Sequence, residues 1–177
     1  MRDLVLYIAT SIDGYIAKPD GGIDWLHNPS FEIPNEDYGY TDFYESIDAT
    51  LMGNKTYQQV LGFDVPFPYP DKKNYVFSRN SELEEDENVK YIREDIATFT
   101  KNLKSKQGKN IWLVGGAQIN SVLLQAGLID KIILTLIPVT IGDGIPLFQK
   151  NDVETSFELV DTHSYTSGLV QLVYKLK

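Results

Sequence analysis

The sequence predicts an α/β protein built on a mainly parallel central sheet, with C-terminal antiparallel strands and helices on both faces. Three observations predict it. Short apolar, β-prone runs alternate with stretches of helical spacing through the first two-thirds of the chain, the last third is strand-rich, and glycines stand where strands give way to helices. Alternating strands and helices favour a parallel sheet, and consecutive strands favour antiparallel pairing. The 177 residues suit a single domain over residues 1–177.

In the first half of the chain, short apolar runs predict four strands, at 4–10, 50–52, 74–78 and 89–92. A first helix is predicted to begin with Asn35 as its cap and to continue through four residues at helical spacing: Tyr40, Phe43, Tyr44 and Ile47. A second helix is predicted over 55–61, with Gly62 ending it. The acidic run 82–87 is predicted to be a solvated surface loop.

The second half begins with an amphipathic helix predicted over 94–106, whose acidic residues come first and whose lysines come last, as the helix dipole prefers. A strand over 110–114 then leads through two glycines into a helix over 117–126, which Gly127 ends. A strand is predicted over 131–137. The runs 157–166 and 169–176 are predicted to form a final hairpin around Ser167 and Gly168.

Composition and charge exclude several classes of function. The net charge of −9 argues against binding to nucleic acid or to an anionic membrane surface, both of which require clustered lysines and arginines. The chain has no cysteine, and its two histidines, His27 and His163, lack the spacing of metal ligands, so no metal site is expected. No signal segment or bilayer-spanning stretch is apparent, and a cytoplasmic protein is expected.

The strongest candidate site is the turn at Gly115-Gly116, where the strand ending at Val114 gives way to a helix that begins at Ala117. Glycine lets a ligand approach the backbone closely, and a helix N-terminus offers unpaired N–H groups and a partial positive charge, which together suit a pyrophosphate. A glycine pair also occurs in strand-to-helix turns that bind nothing. Taken alone, this turn therefore leaves both interpretations open.

Two further turns repeat the same chemistry. Residues 52–56 place a glycine, a lysine and a hydroxyl at a helix start, and residues 77–80 end a strand with a hydroxyl and a guanidinium suited to a phosphate monoester. Ligands of parallel α/β sheets bind beyond the carboxyl ends of the strands, where all three turns are predicted to lie. Neither GxGxxG nor GxxxxGK[ST] is present, which disfavours a Rossmann domain and a P-loop.

The order of these motifs resembles the dihydrofolate reductase-like superfamily. It is most similar to the reductase domain of the bifunctional riboflavin-synthesis deaminase–reductase. The resemblance extends over nearly the whole chain, through six segments: 11–17 (SIDGYIA), 52–57 (MGNKTY), 76–79 (VFSR), 114–117 (VGGA), 134–138 (LTLIP) and 142–148 (GDGIPLF). It implies a dihydrofolate reductase-like fold and an NADPH-dependent reductase of a small heterocyclic substrate.

The resemblance implies a cofactor site along the strand ends. Ala9 and Ile16 would contact the nicotinamide end, and Ser78 and Arg79 would meet the adenosine 2′-phosphate. The peptide between Gly115 and Gly116 is expected to be cis. The implied cofactor-binding residues are Ala9, Ile16, Gly53, Asn54, Lys55, Thr56, Phe77, Ser78, Arg79, Val114, Gly115, Gly116, Ala117, Gln118 and Ile119.

At the substrate end, the resemblance to folate reductases implies an acid on the first helix. Ungapped counting back from Met52 places Asp37 there as the candidate catalytic acid, and Asp42 is a fallback. A helix-capping or solvated carboxylate is an equally open interpretation of either residue, and a positioned water is an alternative proton source. The candidate substrate-binding residues are Trp25, Tyr38, Tyr40, Phe43 and Thr135, and a core position explains the aromatic ones as well.

Two departures from the family bear on specificity. Asn54 stands where many members have arginine, which weakens the expected preference for NADPH over NADH. The Asp-Asp-Pro segment and following arginine that grip a ribose phosphate in the riboflavin enzymes are missing after Thr56. Dihydrofolate reduction and non-catalytic nucleotide binding are the alternative functions. A homodimer is a further expectation, because related reductase domains often pair through sheet edges.

Overall fold

A computed structural model describes residues 1–84 and 86–177. Glu85, inside the acidic run predicted to be a surface loop, lies outside the described residues. The main sheet contains eight strands: β1 Leu4–Ser11, β3 Ile47–Gly53, β4 Lys73–Phe77, β5 Val89–Ile92, β6 Asn110–Gly115, β7 Lys131–Ile137, β9 Phe157–Ser164 and β10 Val170–Leu176. A small second sheet pairs β2 Tyr15–Ala17 with β8 Ile145–Pro146, which the sequence did not predict.

The strand order in the main sheet is β5-β4-β3-β6-β1-β7-β10-β9. The first six of these strands are parallel, and β10 and β9 are added antiparallel at one edge. The predicted fold class, a mainly parallel sheet with C-terminal antiparallel strands, is therefore confirmed. Because the six parallel strands point the same way, their carboxyl ends lie along a single edge of the sheet.

Four α-helices cover the sheet: α1 Tyr40–Glu45, α2 Asn54–Leu61, α3 Ile96–Lys104 and α4 Ala117–Gln125. Successive side chains of a strand point to opposite faces. On β1, Leu4 and Leu6 pack into the cluster that holds α3 and α4, whereas Val5 packs with α1 and α2. Helices thus lie on both faces, and a continuous apolar run such as that of β1 is what a strand buried on both sides requires.

The first helix differs from its prediction. Asn35 does not cap it, because α1 begins only at Tyr40, after Gly39 adopts a left-handed conformation with a φ of 76°. Ile47, predicted to end this helix, begins β3 instead. The third helix is also shorter than predicted, since Asp95 caps it by accepting a hydrogen bond from the Thr98 amide at 2.8 Å.

Ion pairs stabilise the opposite, amino-terminal side of the sheet. The buried Arg2 side chain pairs with Asp48 at the start of β3. The buried Lys104 pairs with Asp130, whose carboxylate also accepts a hydrogen bond from the Leu4 amide at 2.7 Å. Among the helices of the described residues, none combines the length and apolarity that crossing a membrane would require.

Candidate active site

A cleft of about 1500 Å³ opens along the carboxyl ends of the parallel strands. It exceeds the 300–1,000 Å³ that is usual for pockets of small ligands, so it has room for a dinucleotide and a second molecule. Residues at or just beyond the ends of β1, β3, β4, β5, β6 and β7 line it, together with the loop that follows β1.

Two helix N-termini meet at the middle of the cleft. Gly53 precedes α2 and Gly116 precedes α4, and neither helix has a side-chain cap. The first N–H groups of both helices therefore remain available to an anion. A Cβ atom at Gly53 would lie 3.3 Å from Ile119 Cγ1, and one at Gly116 would lie 3.4 Å from Thr56 Oγ1, so glycine allows the two turns to approach closely.

Two details of these turns bear on the sequence predictions. The Gly115–Gly116 peptide is cis, as expected. Asn54 Oδ1 is buried and has no hydrogen-bond partner among the residues that the structure describes. A buried acceptor without a donor costs about 1–3 kcal/mol, and this one lies in a cleft-lining residue, where a ligand N–H or O–H group would satisfy it.

Cationic side chains occupy one end of the cleft. Arg79 follows β4 and makes no salt bridge within the described part of the chain. Arg93 follows β5 and donates hydrogen bonds to the backbone carbonyls of Asn80 (3.4 Å) and Leu83. Arg93 thus braces the loop that carries Arg79. Arg93 is not among the residues predicted for the site, although it follows the end of a strand, as Arg79 does.

The other end of the cleft is apolar with a few hydroxyl and amide groups. Ala9 of β1 lies beside Thr135 of β7 in register, and Thr135 lies opposite Gln171 of β10. Tyr38 lines the same end and adopts a left-handed backbone with a φ of 56°. Its carbonyl accepts hydrogen bonds from Tyr7 Oη at 3.2 Å and Gln171 Nε2 at 3.1 Å.

The loop after β1 is held in place at two points, one of them at the cleft. Gln59 Nε2 of α2 donates a hydrogen bond to the Gly21 carbonyl at 2.7 Å, and both residues line the cleft. The Asp13 carboxylate accepts hydrogen bonds from the amides of Gly142 (2.8 Å) and Ile141. A hydrogen bond from the Ser11 hydroxyl is the largest cause that lowers the pKa of Asp13, followed by those two amides.

Asp37 lines the cleft but lies on the loop before α1, not on the helix. Its oxygens accept hydrogen bonds from the amides of Gly39 (2.9 Å) and Thr41 (3.0 Å). Hydrogen bonds from the Thr41 side chain and from these amides lower the pKa of Asp37. The exposed carboxylate is therefore ionised near neutral pH and serves as a cap for the chain entering α1.

The structure brings most of the predicted site residues together. Every predicted cofactor-binding residue except Gly115 lines the cleft, as do Asp37, Tyr38 and Thr135. Gly115 is buried behind the turn, where a Cβ would lie 3.2 Å from Asn120 Oδ1. What each of these residues binds stays a prediction.

Three aromatic residues predicted at the substrate do not line the cleft. Tyr40 and Phe43 pack in the aromatic core around Trp112, and the ring of Phe43 stacks on that of Tyr7 at a centroid distance of 4.3 Å. Trp25 is buried in a small apolar cluster with Ile137 and Leu169 rather than closing over the cleft. The helical spacing of Tyr40 and Phe43 thus marks a core stripe, and Tyr7 takes the cleft-lining position in front of them.

A family model shows where this arrangement belongs. The model of the RibD C-terminal domain matches residues 2–171. The chain belongs to the RibD C-terminal domain family. Two relatives of this RibD-like chain are the uncharacterized proteins YwjB and YyaP of Bacillus subtilis (strain 168). YwjB is 44% identical over 98% of this chain and 97% of its own length. YyaP is 34% identical over 98% of this chain and 94% of its own length.

Solved structures share the fold of this RibD-like chain. A protein of Shewanella sp. PV-4, provisionally assigned to riboflavin biosynthesis, has a TM-score of 0.86 and 33% identity, over 100% of this chain and 99% of its own. The Thermotoga maritima diaminohydroxyphosphoribosylaminopyrimidine deaminase/5-amino-6-(5-phosphoribosylamino)uracil reductase has a TM-score of 0.73 and 16% identity, and the match covers 57% of its chain. The resemblance stated from the sequence motifs is thereby confirmed, and membership of this reductase-like family suggests reductase activity.

Proposed function

We propose that this protein is an NADPH-dependent reductase of a small heterocyclic substrate. In chemistry it is most like 5-amino-6-(5-phosphoribosylamino)uracil reductase of riboflavin biosynthesis. The observation that carries the proposal is the pair of uncapped helix N-termini, at Gly53 and Gly116, that face one cleft between a cationic end and an apolar end.

The order of the strands supports the placement of the cofactor. From β4, which ends two residues before Arg79, to β1, which carries Ala9, the sheet passes β3 and β6. Three strand intervals correspond to about 14 Å across the sheet. The cations would hold the adenosine phosphate at one end, the helix N-termini would hold the pyrophosphate in the middle, and Ala9 would face the nicotinamide. NADPH, when bound, supplies the electrons for reduction as a hydride equivalent.

The chain's own residues would orient the reactants and exclude water. The loop after β1, which Gln59 and Asp13 hold in place, would help to enclose the cleft that it lines. Tyr38, with its carbonyl held by two hydrogen bonds, would form a fixed wall for the substrate. We propose that a water molecule, rather than Asp37, supplies the proton. The hydrogen bonds that lower the pKa of Asp37 leave it without a proton to donate near neutral pH.

Dihydrofolate reduction is the alternative activity. In that reaction, by resemblance, a carboxylate on the first helix holds the pterin. Here Asp37 precedes α1, is exposed, and accepts hydrogen bonds from backbone amides with both carboxylate oxygens. Asp42 does not line the cleft. The geometry therefore favours a substrate that does not depend on a buried carboxylate.

The test has two steps. The protein is titrated with NADPH and with NADH, and NADPH oxidation is then followed with dihydrofolate or with an aminopyrimidine as substrate. We expect saturable binding of NADPH and oxidation in the presence of the aminopyrimidine. Binding without oxidation by either substrate would favour a non-catalytic nucleotide-binding protein. The proposed function would be refuted if neither NADPH nor NADH bound to the protein.

We also propose that a second copy of the chain covers the outer edge of β9. This strand is the edge of the sheet, and its residues after Phe157 are all exposed, with Leu159 at 50% and Val160 at 46%. An eight-residue edge with unpaired backbone groups is a template for pairing with another strand. Twofold dimers are the commonest homo-oligomers, and a twofold axis brings the same surface of both copies together, here the β9 edge. Sedimentation equilibrium is expected to show a dimer, which Val160→Lys would weaken; a monomer at all concentrations would refute this proposal.

A further inference from the structure

Gln171 joins two residues that line the apolar end of the cleft. Its Nε2 donates hydrogen bonds to the Tyr38 carbonyl at 3.1 Å and to Thr135 Oγ1 at 3.2 Å. Tyr38 belongs to the loop before α1 and Thr135 to β7, so a single amide ties together segments that are about a hundred residues apart in sequence. No motif of the sequence marks Gln171, which itself does not line the cleft.

The chemistry of the partners determines which way this amide points. A backbone carbonyl only accepts hydrogen bonds, so the Tyr38 carbonyl requires the NH2 group of Gln171 on its side. The same NH2 group is the one within reach of Thr135 Oγ1. Thr135 must therefore accept from Gln171. A hydroxyl has one proton, and that of Thr135 is not used in any hydrogen bond among the described residues.

The Tyr38 carbonyl is held firmly enough to enforce this orientation. Tyr7 Oη is its second donor, the Tyr38 hydroxyl donates to the Phe31 carbonyl at 2.6 Å, and the Tyr38 ring lies edge-on to Tyr165 at 4.8 Å. These contacts maintain a left-handed backbone that a tyrosine seldom adopts, with a φ of 56°. The carbonyl therefore stays in one position and fixes the orientation of the Gln171 amide.

We propose that Gln171 is a positioning residue that presents the Thr135 hydroxyl to the cleft as a hydrogen-bond donor. The ligand group that it serves is a hydrogen-bond acceptor, such as a ring carbonyl. Thr135 is only 8% exposed, so a ligand group that meets its hydroxyl must be largely desolvated there. The inference deepens the proposed function, on which it rests, by assigning Gln171 a role and by stating that the substrate group beside Thr135 is an acceptor.

The experiment compares two probes of similar size by isothermal titration calorimetry, with and without NADP+. The first is 5-aminouracil, whose two ring carbonyls accept hydrogen bonds. The second is 2,4-diaminopyrimidine, which carries amino groups at the corresponding positions. We expect 5-aminouracil to bind more tightly than the diaminopyrimidine. Tighter binding of the diaminopyrimidine, or no detectable binding of 5-aminouracil, would overturn the inference.

Matched variants then test whether the Thr135 hydroxyl contributes to binding, and the probe comparison gives the direction of its hydrogen bond. Thr135→Ser keeps a hydroxyl and Thr135→Val removes it at nearly constant volume. Loss of one uncharged hydrogen bond weakens binding about 2- to 12-fold, so 5-aminouracil is expected to bind the Ser variant like the parent protein and the Val variant 2- to 12-fold more weakly. Equal affinity of the parent protein and the Val variant would overturn the inference.

Two substitutions of Gln171 separate positioning from mere packing. Gln171→Glu offers a carboxylate, which draws the Thr135 proton away from the cleft and is expected to weaken 5-aminouracil binding at least as much as Thr135→Val. Gln171→Met, combined with Thr135→Val, is expected to weaken binding no further than Thr135→Val alone, because both act through one hydroxyl. Additive losses would identify a packing role and refute positioning.

The proposed function and this inference fail in different ways. Loss of all NADPH and NADH binding in the parent protein refutes the proposed function, whereas the probe titrations without cofactor still decide the direction of the Thr135 hydrogen bond. Thermal melts of each variant show whether it is folded. If the Gln171 variants do not fold, the inference is overturned when 5-aminouracil is not preferred over the diaminopyrimidine or when Thr135→Val binds 5-aminouracil as tightly as the parent protein.

Discussion

Replacement of the buried Asn74 by leucine is expected to destabilise the protein by about 3 kcal/mol. Asn74 Oδ1 accepts a hydrogen bond from Thr50 Oγ1 at 2.7 Å. Its Nδ2 lies within 2.9–3.1 Å of the carbonyls of Tyr69, Lys72 and Asn88. This side chain therefore connects β3, the loop before β4 and the segment before β5, in addition to its own place in β4.

The magnitude follows from which groups lose their partners. The Thr50 hydroxyl is fully buried and would lose its acceptor, which costs about 1–3 kcal/mol. Nδ2 has two hydrogens, so it donates to two carbonyls at once. In the variant, the Tyr69 carbonyl still accepts a hydrogen bond from the Lys72 amide at 3.2 Å. At least one further carbonyl loses its donor, so the free energy of unfolding falls by about 2–5 kcal/mol in total.

The assay is urea unfolding followed by circular dichroism, with thermal melts in parallel. A loss of about 3 kcal/mol lowers Tm by about 9 °C in a chain of this size. The variant Thr50→Val removes the other partner. In the double variant the two losses are expected to be less than additive by about 1 kcal/mol, because both remove one hydrogen bond.

The exposed Asn102 on α3 provides the matched control. Asn102→Leu is expected to change stability by no more than about 0.5 kcal/mol. The reasoning would be refuted if Asn74→Leu were as stable as this control, or if the Thr50 and Asn74 losses were fully additive.

Three further predictions concern the cofactor, a helix cap and pH. Arg79→Ala is expected to weaken NADPH binding about tenfold through the loss of a charge-assisted phosphate contact while NADH affinity stays constant; equal losses for both nucleotides in fluorescence titrations would contradict this. Asp95→Ala removes the cap of α3 and should lower Tm at neutral pH. Hydrogen bonds from the amide and side chain of Thr98 lower the pKa of Asp95 in the folded state. The stability that this cap contributes is therefore present above the ordinary carboxyl pKa and is lost as pH falls through the lowered pKa. A Tm difference between the parent protein and Asp95→Ala that stays the same in acid would count against this. Burial, the largest cause, raises the pKa of Tyr7 to about 12. The folded state therefore favours the neutral phenol, and stability should fall as pH rises above about 10, less steeply in Tyr7→Phe; urea midpoints that are flat with pH would disprove it.

The residues proposed to hold the cofactor could be predicted to lie together because each of their segments is local in sequence. A strand, a glycine and a helix follow one another at Gly53 and again at Gly116, and Arg79 comes directly after β4. Such a succession places glycines and cations at strand ends whichever strands are neighbours. Arg93 follows the same rule, but no glycine stands near it in the sequence to mark the turn.

The substrate half could not be predicted from the same kind of pattern. Tyr40 and Phe43 have helical spacing, which does not distinguish a core stripe from a pocket wall. Asp37 was placed on a helix that in fact begins three residues later, since its own carboxylate accepts the amides of Gly39 and Thr41. Boundaries of this kind depend on cap geometry, which the apolar pattern does not contain.

The amino-acid sequence by itself determined the class of fold, the location of most elements and the glycine turns that line the cleft. Those features follow from periodicity and from glycine, whose effects act within a few residues. Only the tertiary structure decided the strand order, and with it that Gln171 of β10 lies beside Thr135 of β7 and under the Tyr38 carbonyl. Which distant strands pair depends on the burial of whole faces of the sheet at once. No local segment of the sequence therefore predicts the pairing.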